Sequence, residues 1–177
     1  MSILKFLGLQ QDRSDERSGE TESVRKIVEK LESLDPHKAR YIAAFAYILG
    51  RVANADLEIS KAETRAMEET VQKLGHLPEE QAILVVQIAK SQHRLFGGTE
   101  NFLVTREFLE LSDVDQRQKL LDCLFAVSAA DESISGVEEA QIRQIASELG
   151  FSHRQFVEAR AAYSDRREVL KPLRDAD

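Results

Sequence analysis

The residues with the clearest chemical potential are four carboxylates that lie in two similar segments. Residues 55–63 read Ala-Asp-Leu-Glu-Ile-Ser-Lys-Ala-Glu, and residues 130–138 read Ala-Asp-Glu-Ser-Ile-Ser-Gly-Val-Glu. Asp56 and Glu63 therefore correspond to Asp131 and Glu138 at a constant separation of 75 positions. Each pair brings two carboxylates towards one turn, where backbone carbonyls could complete the oxygen shell that Ca²⁺ or Mg²⁺ prefers. The four residues are candidate ligands for a divalent cation, provided that the two copies meet.

The same residues also support a purely structural interpretation. Ser60 with Glu63, and Ser135 with Glu138, have the spacing of a capping box, in which serine and glutamate satisfy free amides at a helix start. The aspartates would then only shape the turn before the helix. Under this interpretation neither copy binds a ligand, and the spacing alone does not decide between the two.

A standard EF-hand is excluded in both copies. If Glu63 and Glu138 took the last ligand position of such a loop, the first would fall on Val52 or Val127. The invariant glycine of that loop would be Leu57 or Glu132, and neither residue suits its sharp turn.

The elements that position these residues are predicted to be helices. Apolar residues recur at spacings of three and four, with few glycines and prolines between them. In the first half, the predicted helices run from Val24 to Leu34, from Asp35-Pro36 through the apolar residues 41–49, from Ser60 to Leu74 with Gly75 as C-cap, and from Pro78 to before Gly97. In the second half, a fifth helix begins at a Thr99 cap, and a sixth runs from the capping box at Asp113 to Ala130. A seventh runs from Ser135 to Gly150, and an eighth follows Ser152. The fold class is therefore all-α, with seven or eight helices. The repeat suggests two pseudo-symmetric halves.

The domain organisation follows from the same pattern. Residues 1–20 are predicted to be a flexible N-terminal segment, residues 21–165 the helical domain, and residues 166–177 a polar tail. No stretch is apolar enough to span a bilayer, and the start is too short for a secretory signal, so we expect a cytoplasmic protein. Residues 1–9 could still dock on the inner face of a membrane. Cys123 lies in an apolar run and is predicted to be a core residue.

The overall charge narrows the classes of function. A formal net charge of −7 argues against a general nucleic-acid binder and suits cations or basic partners. None of the four histidines forms a zinc motif, and no arrangement for nucleophilic catalysis can be identified.

The paired segments, each with Ala-Asp, Ile-Ser and Glu at the same places, resemble the double motif of TerB-like domains. That family includes tellurite-resistance protein B and the N-terminal domain of the DjlA co-chaperone, and the resemblance covers roughly residues 24–165. It implies an all-α bundle of two halves with an acidic cluster on Asp56, Glu63, Asp131 and Glu138. It further implies a role in tellurite and stress responses, metal binding, and assembly at the inner membrane face. The glycine that many members carry after each aspartate is replaced here by Leu57 and Glu132.

The leading hypothesis is thus a non-enzymatic stress-response module that binds a divalent ion between its repeats and has protein partners. The main alternative is a metal-independent helical scaffold for protein interaction. A third class, a metal-dependent hydrolase, would require an open cleft with a nucleophile beside the ion.

Overall fold

The computed structural model describes residues 18–53, 60–91, 101–130 and 133–167. These ranges contain eight α-helices and a closing 3₁₀ turn at Ser164–Arg166. The helices are α1 (Ser18–Glu32), α2 (Pro36–Ala53), α3 (Lys61–Leu74), α4 (Glu79–Lys90), α5 (Asn101–Leu111), α6 (Val114–Ala129), α7 (Gly136–Glu148) and α8 (His153–Ala161). The described ranges contain no strand, and the prediction of an all-α fold is confirmed.

Helix α2 forms the centre of the bundle. Residues 41–50 are all buried, because this segment is apolar on every side and every face meets another element. It packs against α1, α4, α5, α6 and α7. Aromatic rings reinforce this packing, since Tyr41, Phe45 and Phe108 lie with ring centroids 5.3–6.2 Å apart.

The two halves are interleaved rather than side by side. Helices α2 and α6 precede the two acidic motifs, and α3 and α7 follow them. Helix α3 packs on α6 of the other half, and α7 packs on α2 of the other half. This reciprocal arrangement is what the 75-residue repeat predicts for related halves.

The N-terminal helix begins earlier than its apolar pattern does. Helix α1 starts at Ser18, inside the segment 1–20 that was predicted to be flexible. The Glu22 carboxylate lies 3.0 Å from the Lys26 ammonium one turn later. Such i, i+4 pairs stabilise a helical turn without burying any apolar side chain, so hydrophobic spacing alone misses it.

The prediction that Gly75 is the C-cap of α3 is confirmed, and its backbone is right-handed. Gly75 is the C-cap of α3, but its φ is −74°, and the left-handed residue is His76 with φ 53°. A β-carbon on Gly75 would overlap the Val71 carbonyl oxygen and lie 3.4 Å from the Phe45 ring. Close packing, and not a positive φ, explains the glycine.

Two further sequence expectations can be compared with the structure. Cys123 is fully buried and its thiol lies 3.9 Å from the Thr70 carbonyl, which confirms it as a core residue. In the described part of the chain, no helix is both long enough and apolar enough to cross a membrane.

Candidate functional site

The serine and glutamate of each acidic motif form the predicted capping box. The Glu63 amide donates to the Ser60 hydroxyl at 3.2 Å, and the Glu63 carboxylate accepts from the Ser60 amide. In the second copy the Glu138 amide donates to the Ser135 hydroxyl at 3.2 Å, and the Glu138 carboxylate accepts from the Ser135 amide at 2.8 Å. The capping interpretation of these residues is confirmed in both copies.

The aspartates of the predicted metal site, Asp56 and Asp131, lie outside the described residues. Only Glu63 and Glu138 of the four candidate ligands can therefore be placed. Among the residues that the structure describes, no group of three or more His, Cys, Asp or Glu side chains could hold a metal ion. The convergence of the four carboxylates stays a prediction.

The best-defined ionic cluster surrounds Glu139, the residue after the capping glutamate. Glu139 is only 6% exposed. Its carboxylate accepts from Arg167 Nε at 2.7 Å, Arg167 Nη2 at 2.9 Å and Arg160 Nη1 at 2.8 Å. Arg143 Nη2 approaches the same carboxylate at 3.4 Å. One buried acid thus binds three guanidinium groups.

The electrostatics of Glu139 follow from this geometry. Burial alone would raise the pKa of its carboxyl, but the hydrogen bonds and charges of Arg167 and Arg160 outweigh burial and hold the pKa below its usual range. Glu139 is therefore ionised at neutral pH and held in place by its partners. Such a group stabilises a local structure rather than exchanging protons.

The Arg167 side chain is only 15% exposed, although it lies in the segment 166–177 that was predicted to be a polar tail, whereas the Arg166 side chain is 50% exposed. The Ile134 amide donates to the Arg166 carbonyl at 2.7 Å, and Ile134 and Arg167 form an isolated parallel bridge. Arg166 and Arg167 therefore lie beside the second motif. Sequence reasoning missed the contact of Arg167 with Glu139 because the charge of Arg167 indicates exposure, and no spacing rule links the two residues.

A second buried ion pair joins the two halves. Arg51 Nη1 lies 3.0 Å from the Glu148 carboxylate, and these side chains are 7% and 11% exposed. Thr105 lies beside them, with its hydroxyl oxygen 2.9 Å from Arg51 Nη1. Burial raises the pKa of Glu148, but the hydrogen bonds from Arg51 and Thr105 outweigh it and lower the pKa overall. Together with Thr105, the ion pair links helices α2, α5 and α7.

Cys123 carries a free thiol, which is a chemical group that could act as a nucleophile. Burial, assisted by the charge of Asp122, raises the pKa of its thiol to about 12. The thiolate needed for nucleophilic attack or metal binding is therefore scarce at neutral pH. Burial also raises the pKa of Asp122, although a hydrogen bond from Gln118 opposes that rise.

Comparison with known proteins places the chain in a family. The family model described as Tellurite resistance protein TerB matches residues 41–161, which include both acidic motifs and helices α3 to α8. No curated protein matches the chain, and no solved structure does. The family match, the all-α fold and the two capped motifs agree with the resemblance drawn from the paired segments. The chain belongs to the TerB family.

Proposed function

We propose that this chain is a non-enzymatic binding module of the stress-response type, which binds one divalent cation through Asp56, Glu63, Asp131 and Glu138. The observation that carries the proposal is that the two motifs use the same capping box to fix a glutamate at the same point of a helix. A capping role alone requires no aspartate seven residues before each glutamate, yet both copies have one.

The geometry of Glu138 is compatible with a ligand role. The Ser135 amide and the Ser135 hydroxyl both donate to the same carboxylate oxygen of Glu138, Oε2. Among the described residues, Oε1 has no hydrogen-bond partner. A carboxylate can therefore cap the helix with one oxygen and bind a cation with the other. Hard oxygen ligands of this kind favour Ca²⁺ or Mg²⁺ over Zn²⁺.

Titration calorimetry of the metal-free protein tests the proposal. We expect Ca²⁺ or Mg²⁺ to bind with a dissociation constant below about 1 mM. The double variant Asp56→Asn with Asp131→Asn should abolish the heat of binding. Glu29→Gln with Glu110→Gln is a matched control, because both side chains are 66% exposed and the variant removes the same charge. No binding by the unaltered protein, or equal loss in both double variants, would refute the ion site.

A metal-independent scaffold is the second candidate, and one feature of α5 favours it. Phe102 and Leu103 are 61% and 59% exposed at the start of that helix. Large apolar side chains so exposed are typical of surfaces that contact a partner. If only this function exists, Phe102→Ser with Leu103→Ser should remove partner binding, and the Asp56 and Asp131 variants should leave it unchanged.

We also propose that the protein acts in the cytoplasm and reaches the inner membrane face through residues 1–9, which lie outside the described residues. The support is their sequence, which carries Ile3, Leu4, Phe6 and Leu7 around Lys5. Sedimentation with anionic lipid vesicles tests this. Binding should be lost in the full chain with Phe6→Glu and Leu7→Glu. Equal sedimentation of both forms would exclude the role.

A further inference from the structure

The segment Tyr163, Ser164, Asp165, Arg166 and Arg167, hereafter the strap, returns to the second acidic motif after α8. Three kinds of contact hold it there. The Arg166 carbonyl accepts from the Ile134 amide, Arg167 forms two hydrogen bonds with Glu139, and the Tyr163 ring stacks on Phe125 at 5.6 Å. Ile134, the residue just before the capping Ser135, is 1% exposed.

These contacts fix the end of the loop that contains Asp131. The loop leaves α6 at Ala130 and enters the cap of α7 at Ser135, so only four residues separate these two helix ends. The strap bonds to one of the four through the Ile134 backbone and to the first turn of α7 through Glu139.

The first half has a weaker version of the same contact. Thr64 corresponds to Glu139 in the repeat, and its hydroxyl donates to the Ser60 carbonyl at 2.8 Å. The Lys90 ammonium, at the end of α4, donates to that hydroxyl at 3.0 Å. Both halves therefore bring the end of the following helix back to the start of the motif helix. Among the residues that the structure describes, a buried acid with a bidentate arginine occurs there in the second half alone.

We infer that the strap is a conformational device that holds the second acidic motif in place, and that its removal loosens this motif without loosening the first. The inference concerns Ile134 and the first turn of α7, and it holds whether or not an ion binds. An ion pair with two hydrogen bonds is stronger than a single hydrogen bond from an ammonium to an uncharged hydroxyl, so we expect the starts of α7 and α3 to differ in their resistance to local opening.

Amide hydrogen exchange by NMR on the full-length, metal-free protein tests the inference. In Arg167→Ala, exchange of the Ile134 amide should accelerate by about tenfold or more, and exchange of the Thr64 amide should change by less than about twofold. Arg167→Lys keeps the charge but loses the bidentate geometry, so it should give an intermediate acceleration. It also provides the measurement if Arg167→Ala does not fold.

The matched control is Arg154→Ala. Arg154 is 88% exposed and forms an ion pair with Glu158 within α8, so its loss should leave Ile134 exchange unchanged. Unaltered exchange of Ile134 in both Arg167 variants, or equal acceleration at Thr64 and Ile134, would overturn the inference. Since no ion is added, these outcomes are independent of the calorimetric test of the cation site.

Discussion

The two halves of the molecule start from nearly the same motif but stabilise it differently. In the second half, Glu139 is buried among Arg143, Arg160 and Arg167. In the first half, the corresponding Thr64 hydroxyl accepts a single hydrogen bond from the Lys90 ammonium. The capping box is the same in both halves, so the two helix starts differ in the contacts of the residue that follows the capping glutamate.

The largest effect should come from removing the buried acid of the second half. Glu139→Ala leaves Arg160 and Arg167 without their carboxylate, and we expect a loss of about 3 kcal/mol in the free energy of unfolding. Thr64→Ala, the matching change in the first half, should cost about 1 kcal/mol or less. Urea unfolding followed by circular dichroism measures both. Similar losses would mean that the halves are equally anchored.

The pH dependence of this contribution has a defined sign. The pKa of Glu139 is lowered from 4.5 in the folded protein, so its ion pairs stabilise the fold above that value and are lost as pH falls through the folded pKa. The stability difference between the unaltered protein and Glu139→Gln should be full at pH 7 and shrink below about pH 4.5. Urea titrations over that range provide the measurement. A difference that grows on acidification would contradict the assignment.

The matched glycines after the two motif helices should respond differently to alanine. At Gly75 the added methyl would overlap the Val71 carbonyl, and we expect a loss of about 1–3 kcal/mol. At Gly150 the space is open but φ is +84°, which costs about 1 kcal/mol for alanine. His76→Gly should raise the free energy of unfolding, because glycine adopts a φ of 53° without the strain that a histidine has there. An unchanged free energy of unfolding would contradict this strain.

The two capping serines should have the smallest and most similar effects. Ser60→Ala and Ser135→Ala should each cost about 1 kcal/mol, since each removes the acceptor for one helix-start amide. The loss at Ser135 should be slightly larger, because its hydroxyl also donates to Glu138 at 2.7 Å. Melting curves with and without Ca²⁺ check whether these losses are independent of the ion.

Local rules predicted much of this fold. The spacing of Ser60 with Glu63 and Ser135 with Glu138 gave both caps, and the unbroken apolar run at 41–49 gave the buried centre, because caps and amphipathic faces depend on residues within one or two turns. The rest depends on residues far apart in the chain. Glu139 bonds to Arg167, 28 positions later, and Arg51 bonds to Glu148, 97 positions later. No periodicity marks such pairs.

The candidate ion site also depends on residues far apart in the chain, since its four carboxylates come from segments 75 residues apart. The repeat predicts that the two motifs are related, and the reciprocal packing of α3 on α6 and α7 on α2 agrees with that relation. The proposed ion site would contain Asp56 and Asp131, which lie outside the described residues, so the site stays a prediction.

Paramagnetic broadening by Mn²⁺ tests the central claim most directly. Mn²⁺ takes the same oxygen ligands as Mg²⁺ and broadens NMR signals of nearby amides. We predict that a substoichiometric amount broadens the amides of Asp56, Glu63, Asp131 and Glu138 together, and that excess Mg²⁺ reverses the effect. Broadening of one motif alone, or only of exposed acids such as Glu79 and Glu80, would contradict a single ion bound between the repeats.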